Sequence, residues 1–448
     1  MYQAESSGTV LRGRRSLPVG AGGRGTRVSR NVVVLGAVSM LTDVSSEMVA
    51  AILPIYLVLE LGASPLQVGV VDGIYQGATA LVRLAGGFVA DRWRRYKEVA
   101  TLGYGLSAAC KGALVAIGGT VSAVTAIVLV DRAGKGIRTA PRDALIALSS
   151  TPSALATAFG VHRAMDTAGA LLGPLAAFGL LLLAPARFDA VFVVSTCFAV
   201  LGLAVLVLLA DGRPRTRSDS PDAGGAELAD AERPLDAVES RGDAAPARDP
   251  QPTLREAIAL LREPRFRTLV GAAGLLAAVT ISDGLLYLGL QRQLDFPVTA
   301  FPLLFVGSAL VFMALAIPAG RLADRIGRGR VFLGGHLLLL PAYAVLLAPS
   351  GGVALLAVAL GGLGAYYAAT DGVLQALASA LLPDRLRASG LALLVTATSL
   401  AKLASSLAFG LAWTLGGLEL AATAFAAALT VALLGAAWAL RRSPEAIA

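Results

Sequence analysis

Asp131, Arg132, Lys135, Arg138, Arg142 and Asp143 crowd one otherwise apolar stretch of the chain. At about 100° per residue on a helix they fall within about 140° of one face. Four cations and two carboxylates give that face a formal charge of +2. Each ion inside a bilayer costs a few kcal/mol or more. Such a face must line a wet cavity or meet acidic partners. The candidate acids stand in other apolar stretches: Asp43 and Glu47, four apart and so on one helical face, then Asp166, Asp283 and Asp371. Desolvation favours a protonated carboxyl, and a nearby guanidinium favours the ionised form. A motion that separates acid from cation therefore takes up or releases a proton. Asp43, Glu47, Arg132, Lys135, Arg138, Asp166, Asp283 and Asp371 form the expected substrate and proton-coupling set. Arg142, Asp143 and Arg163 read as an ion-pair latch. Lys111 and Lys402 are isolated cations expected to snorkel or pair locally, and Asp72 and Gln76 are expected at a vestibule.

Apolar composition supplies the elements that hold these charges. Of 448 residues 56% are hydrophobic and 15% charged, with mean hydropathy +0.71. Soluble domains carry about 25% charged residues. The apolar residues suffice for about twelve spans of about 20 residues each. Twelve apolar segments run near 31–59, 65–90, 98–118, 121–148, 157–184, 189–210, 266–290, 299–320, 331–348, 353–381, 388–413 and 418–440. The chain divides into a basic tail (1–30), six segments (31–210), a polar linker (211–265), six more segments (266–440) and a short tail (441–448). From Asp211 to Glu263 the linker holds twelve acidic and eight basic residues, too few apolar groups to fold alone. A short surface helix is expected within 253–262.

The net charge of +8 rests on 34 Arg and 4 Lys, and these sort by loop. Arg92, Arg94, Arg95 and Lys97 follow segment 2; Arg325, Arg328 and Arg330 follow segment 8; Arg385 and Arg387 follow segment 10; Arg441 and Arg442 end the chain. The opposite loops are nearly bare. The bias puts both termini and the linker in the cytoplasm of a multi-pass protein of the cell membrane. The same bias accounts for the positive charge without nucleic acid.

The chain also repeats. Gly87-Phe-Val-Ala-Asp91-Arg92 after segment 2 returns as Gly320-Arg-Leu-Ala-Asp324-Arg325 after segment 8. Two halves joined by a polar linker are the mark of a transporter built from repeats. The repeated loop resembles the G-x-x-x-D-R-x-G-R-R/K loop of the major facilitator superfamily. The second copy keeps Gly320, Asp324, Arg325, Gly327 and Arg328; the first keeps Gly87, Asp91, Arg92 and Arg95 but has Arg94 where the family has Gly. Arg132-Ala-Gly-Lys-Gly136 resembles the family's R-x-x-x-G motif, and Gly169-Ala-Leu-Leu-Gly173-Pro174 resembles the G-x-x-x-G-P motif of drug–proton antiporters. The latter ends in Ala176-Ala177 instead of Gly-Gly.

The resemblance implies an all-α membrane protein of two pseudo-symmetric six-helix bundles, whose loops latch on the cytoplasmic side. It implies proton-coupled export of a small molecule by a monomer in the lipid bilayer. The proton gradient is the energy source, and no cofactor is expected. Uptake or export of an anionic metabolite or metal chelate is the alternative, suggested by the +2 face. A non-transporting membrane sensor or scaffold is the remote one. No Walker loop, His pair, Cys cluster or nucleophilic triad is present, so an enzyme is not expected.

Overall fold

In a computed structural model the described residues are 28–93, 95–117, 119–151, 154–212, 254–348 and 352–441. The tail 1–27, most of the linker and residues 442–448 fall outside them. Every described element is helical. They are α1 (Arg30–Leu59), α2 (Pro65–Trp93), α3 (Tyr96–Ile117), α4 (Val121–Leu148), α5 (Leu155–Leu183), α6 (Phe188–Leu209), α7 (Leu254–Ala259), α8 (Pro264–Ala278), α9 (Asp283–Leu294), α10 (Phe301–Ile326), α11 (Arg328–Leu337), α12 (Leu339–Val345), α13 (Val353–Leu381) and α14 (Arg387–Arg441). In lipid every backbone polar group must be satisfied within the segment, so a spanning chain of this composition forms helices.

Among the described residues, eight stretches are long and apolar enough to cross a membrane. The exceptions are instructive. α4 has the length, but its ions break the apolar pattern. Segment 9 is split at Leu338 into α11 and α12, each too short alone. Segment 7 is one of the eight and yet is two helices, α8 and α9, interrupted between Val279 and Ser282. Where a loop is expected between segments 11 and 12, α14 continues and bends at one residue. Gly417 has φ 82° and ψ 172°, a conformation that only glycine adopts without strain. The expected surface helix of the linker is α7, and its Glu256 sits 3.5 Å from Arg385.

The helices pack in two groups. α1 lies on α5 and α6, α2 on α4, and α3 on α4 and α6; α10 lies on α13, α14 on α8, and α11 and α12 on α13. Small residues allow the close contacts, as lipid-embedded helices require. A Cβ on Gly169 would lie 2.4 Å from the Met40 carbonyl of α1, and one on Gly173 would lie 2.8 Å from Val44 O. Across the groups, α2 meets α14 along Gly69, Gly73 and Gly77, which face Ser406 and Leu403 at 2.4–3.1 Å from such a Cβ. Leu66 N donates to Thr414 Oγ1 at 2.9 Å on the same seam. α5 meets α10, and α1 meets α9 and α10. The α2–α14 seam lies in the half of the molecule away from the start of α1 and the end of α6.

Candidate functional site

The charged face of α4 splits three ways. Asp131, buried to 4% exposure, turns to α3, where Lys111 Nζ lies 3.1 Å away, and also accepts from Arg132 at 2.5 Å. Arg132 then stacks over the Tyr75 ring of α2, 4.0 Å from its centroid. Arg138 points into the first helix group, donating to Ser107 Oγ at 2.7 Å and lying 4.7 Å from the centre of the Tyr104 ring. Only Arg132 and Lys135 of this face reach the large cavity between the two groups. Lys111, expected to snorkel or pair locally, pairs across helices with Asp131.

That cavity spans about 890 Å³, part of it open to solvent. Glu47 and Pro54 of α1, Asp72, Tyr75 and Gln76 of α2, Arg132 and Lys135 of α4, Asp283 of α9 and Phe305 of α10 line it. Asp72 accepts from Ser406 Oγ of α14 at 2.7 Å, a bond that crosses the seam. Asp283 opens α9 directly after the break in segment 7, and its carboxylate accepts from Tyr367 Oη at 2.7 Å. A carboxylate at a helix N-terminus is favoured by the free N–H groups there. Asp371 is half-buried on α13, and it, Asp283 and Asp72 are the acids facing Lys402.

A second cluster lies inside the first group. Gly169 and Gly173 let α5 press on α1, and this contact brings the carboxyls of Asp43 and Asp166 within hydrogen-bonding reach. Both are buried, at 5% and 1% exposure. Arg163 lies 3.7 Å and Arg142 4.0 Å from Asp166. Arg142 also holds Asp143 at 3.0 Å and donates to Ser39 Oγ at 3.2 Å, which in turn meets His162 Nε2 at 2.9 Å. Thus Arg142 pairs with Asp143, whereas Arg163 is given to Asp166. A small polar cavity lined by Ser39, Asp43, Lys135 and Arg142 adjoins the pair. Lys135 borders both cavities. Pro174 is buried in α5, one residue past Gly173.

The loop residues stand apart from this site. Gly87, Asp91 and Arg92 fall in the last turns of α2, where side chains lie outside the described part, and Arg95 is exposed. At the matching place, Asp324 and Arg328 pair at 3.2 Å with Asp324 68% exposed, and Arg325 is exposed. Gly327 ends α10 at φ 100°, a backbone that favours glycine, and Gly320 has open space beside it. Sequence reasoning did not single out Tyr75, Tyr367, Phe305 or Ser406. The signal for the seam was present in Gly69-x-x-x-Gly73-x-x-x-Gly77, which puts three glycines on one face of α2.

Three comparisons bear on these helices. An uncharacterized protein of Mycobacterium tuberculosis is 32% identical over 189 residues, 42% of this chain and 46% of that protein. An uncharacterized MFS-type transporter of Methanocaldococcus jannaschii is 30% identical over 184 residues, 41% of this chain and 44% of that one. Each match thus spans just under half of the relative's length. Among solved structures, a peptide transporter in complex with sulfate matches with a TM-score of 0.72 at 17% identity, covering 93% of this chain and 95% of its own. A nucleoside transporter matches with a TM-score of 0.70 at 14% identity over 92% of this chain and 99% of its own. At such identities the likeness is one of fold. The family model described as Major Facilitator Superfamily matches residues 35–301 and 268–448, and by that span the chain belongs to this superfamily of membrane transporters.

Proposed function

We propose that the chain is a secondary active transporter of the cell membrane that exports a small molecule in exchange for protons by alternating access. The observation that carries this reading is the pairing of a central cavity with the buried Asp43–Asp166 contact one helix away. Twelve crossings in two bundles, with α8–α9 and α11–α12 each making one and α14 making two, put both termini on one side. The arginine-rich loops mark that side as cytoplasmic. The seam of α2 and α14 closes the opposite end, so this state is open to the cytoplasm.

Two carboxyls in such contact cannot both stay ionised, and the pair holds one proton. Arg142 and Arg163 favour the charge on Asp166, leaving the proton to Asp43. Asp43 also faces Lys135 of α4 and Glu47 of its own helix. Loss of the proton throws Asp43 onto Lys135, which borders the substrate cavity, and couples proton release to the cavity wall. The anionic-substrate alternative draws on the cations of α4. Arg132 shares its carboxylate, Asp131, with Lys111, so that cluster keeps a net positive charge toward the cavity.

The test uses the full chain in proteoliposomes loaded with a pH dye, challenged with a panel of small molecules. Compound-dependent proton movement is expected and should vanish in Asp43→Asn. Substrate flux that persists with no proton movement would refute the coupling.

A further inference from the structure

The small cavity beside the acid pair lies between α1, α3 and α4. It spans about 260 Å³, part of it open to solvent, and its centre has room for a body about the size of one water. Lys135, Arg138 and Arg142 of α4 line it, with Ser39 of α1 and Tyr104 of α3. Asp43 is the one acid in its wall among the described residues.

The positive charge here is only partly answered. Arg142 is matched by Asp143, and Asp166 is shared with Arg163. Arg138 is 3% exposed, yet of the five N–H donors of a guanidinium the described residues take one, at Ser107 Oγ. The acid that faces Arg138 is Asp131, and Lys111 and Arg132 draw on the same carboxylate. Three cations on one acid leave a surplus of positive charge. Lys135 faces Asp43, and a proton on Asp43 removes that acid's charge as well. A water molecule satisfies donors but does not offset charge, and an uncompensated charge in a buried place is costly. The group that completes this cavity is therefore an anion.

We infer that the small cavity binds a monatomic inorganic anion of the chloride class, held by Arg138 and Lys135 while Asp43 carries its proton. The inference rests on the reading of Asp43 as the proton carrier and adds a second ion to it. Sulfate and phosphate are too large for the centre of the cavity. Lys135 borders the central cavity too, which gives the anion a way in from solvent. The anion sits apart from the central cavity and is not the exported molecule. Asp166 of α5, Lys135 of α4, Glu47 of α1 and Tyr75 of α2 face Asp43. Of these four only Lys135 lines the small cavity, so it carries the linkage. When Asp43 ionises, its carboxylate becomes the counter-charge of Lys135 and repels the anion. Anion and proton thus bind together and leave together. By linkage, affinity rises by up to about tenfold per pH unit as the pH falls through the range in which Asp43 takes its proton.

Equilibrium binding tests this without any gradient. The full chain in lipid nanodiscs, with protein-free discs as blank, is titrated with radiolabelled chloride, and sodium gluconate keeps the ionic strength constant. Saturable binding is expected, tighter at lower pH, displaced by bromide and not by sulfate. Arg138→Gln and Lys135→Gln should each weaken it at least tenfold, Arg138→Lys by less. Asp43→Asn should keep the binding and lose its pH dependence. In weak buffer a pH dye should report proton uptake when chloride is added to the parent, and none in Asp43→Asn. Should Arg138→Gln fail to fold by its thermal melt, Lys135→Gln and Arg138→Lys carry the test. No binding above the blank, binding indifferent to Arg138 and Lys135, equal displacement by sulfate, or affinity that does not change with pH would each overturn the inference. Compound-dependent proton movement beside any of these results would leave the transporter reading standing. Chloride binding with its proton uptake, but with no compound-dependent flux, would overturn that reading alone.

Discussion

The α2–α14 seam makes a sharp demand on Gly69. A methyl group there would sit 2.4 Å from the Ser406 carbonyl oxygen and 3.4 Å from Gly410 Cα, both backbone atoms that cannot rotate away. An unstrained carbon contact needs about 3.5 Å, so Gly69→Ala must part the helices by about 1 Å. Overpacking of this kind costs about 1–3 kcal/mol. The Asp72–Ser406 bond, 2.7 Å in the closed seam, would stretch beyond hydrogen-bonding range. With part of that charged bond lost, the closed seam is destabilised by about 2–4 kcal/mol in all. In the proposed cycle the cost falls only on the state that closes this end, because the other state separates the seam. At about 1.4 kcal/mol per tenfold, the closed population falls by about 30-fold to 1000-fold relative to the open one. The assay replaces Cys110 and Cys197 with alanine and places cysteines at Leu66 and Thr414, which touch across the seam. Cross-linking by a short reagent should be fast in the parent and suppressed by Gly69→Ala. Gly179→Ala is the control, since a methyl there meets nothing within 4 Å. Unchanged cross-linking in Gly69→Ala would refute the reasoning.

Lys111→Met removes one of the two cations on buried Asp131; breaking such a pair costs about 3–5 kcal/mol, and retention of Arg132 puts the loss in thermal stability near the lower end. Asp324→Asn breaks a pair whose acid is largely exposed, so unfolding should change by less than about 1 kcal/mol, measured by the thermal melt. Gly169→Ala drives a methyl into the Met40 carbonyl inside one bundle. It should lower the melting temperature and, by pushing α5 from α1, weaken proton coupling in the pH-dye assay while cross-linking at Leu66 and Thr414 stays unchanged.

The helical fold was legible because apolar runs of bilayer length leave the backbone few alternatives. The breaks were less so. Gly417 stands one residue after another glycine, and nothing in the pair distinguishes a bend from a loop. The split of segment 7 before Asp283 was hidden because Thr280 and Ser282 are small and nearly neutral in hydropathy, whereas the break is what places Asp283 at a helix start. The charges of α4 were legible as costly, and the Arg142–Asp143 pair was legible too, whereas the partner of Asp131 on another helix was not. Helical angle puts Asp131 with Lys135 on one face, yet Lys111 on a neighbouring helix shares Asp131 with Arg132. Periodicity describes one helix at a time, and an ion pair across helices depends on how two are rotated against each other.

The glycines of α5 join the packing of the fold to the chemistry of the site. Gly169 faces Met40 and the Asp43 Cβ, and Gly173 faces Val44 and the Glu47 Cβ, so each sits one helical turn along the same interface. Asp43 presents its Cβ to Gly169, and Asp166 stands one turn before that glycine on α5, so the two carboxyls come within hydrogen-bonding reach. A bulkier pair of residues would keep the two helices apart and leave two isolated buried acids, each needing its own counterion. The small residues thus do more than let helices pack. They set the separation of the Asp43 and Asp166 carboxyls, and through Glu47 they set how far the proposed proton site stands from the cavity. A motif read as packing alone and one read as coupling alone describe the same contact from its two sides.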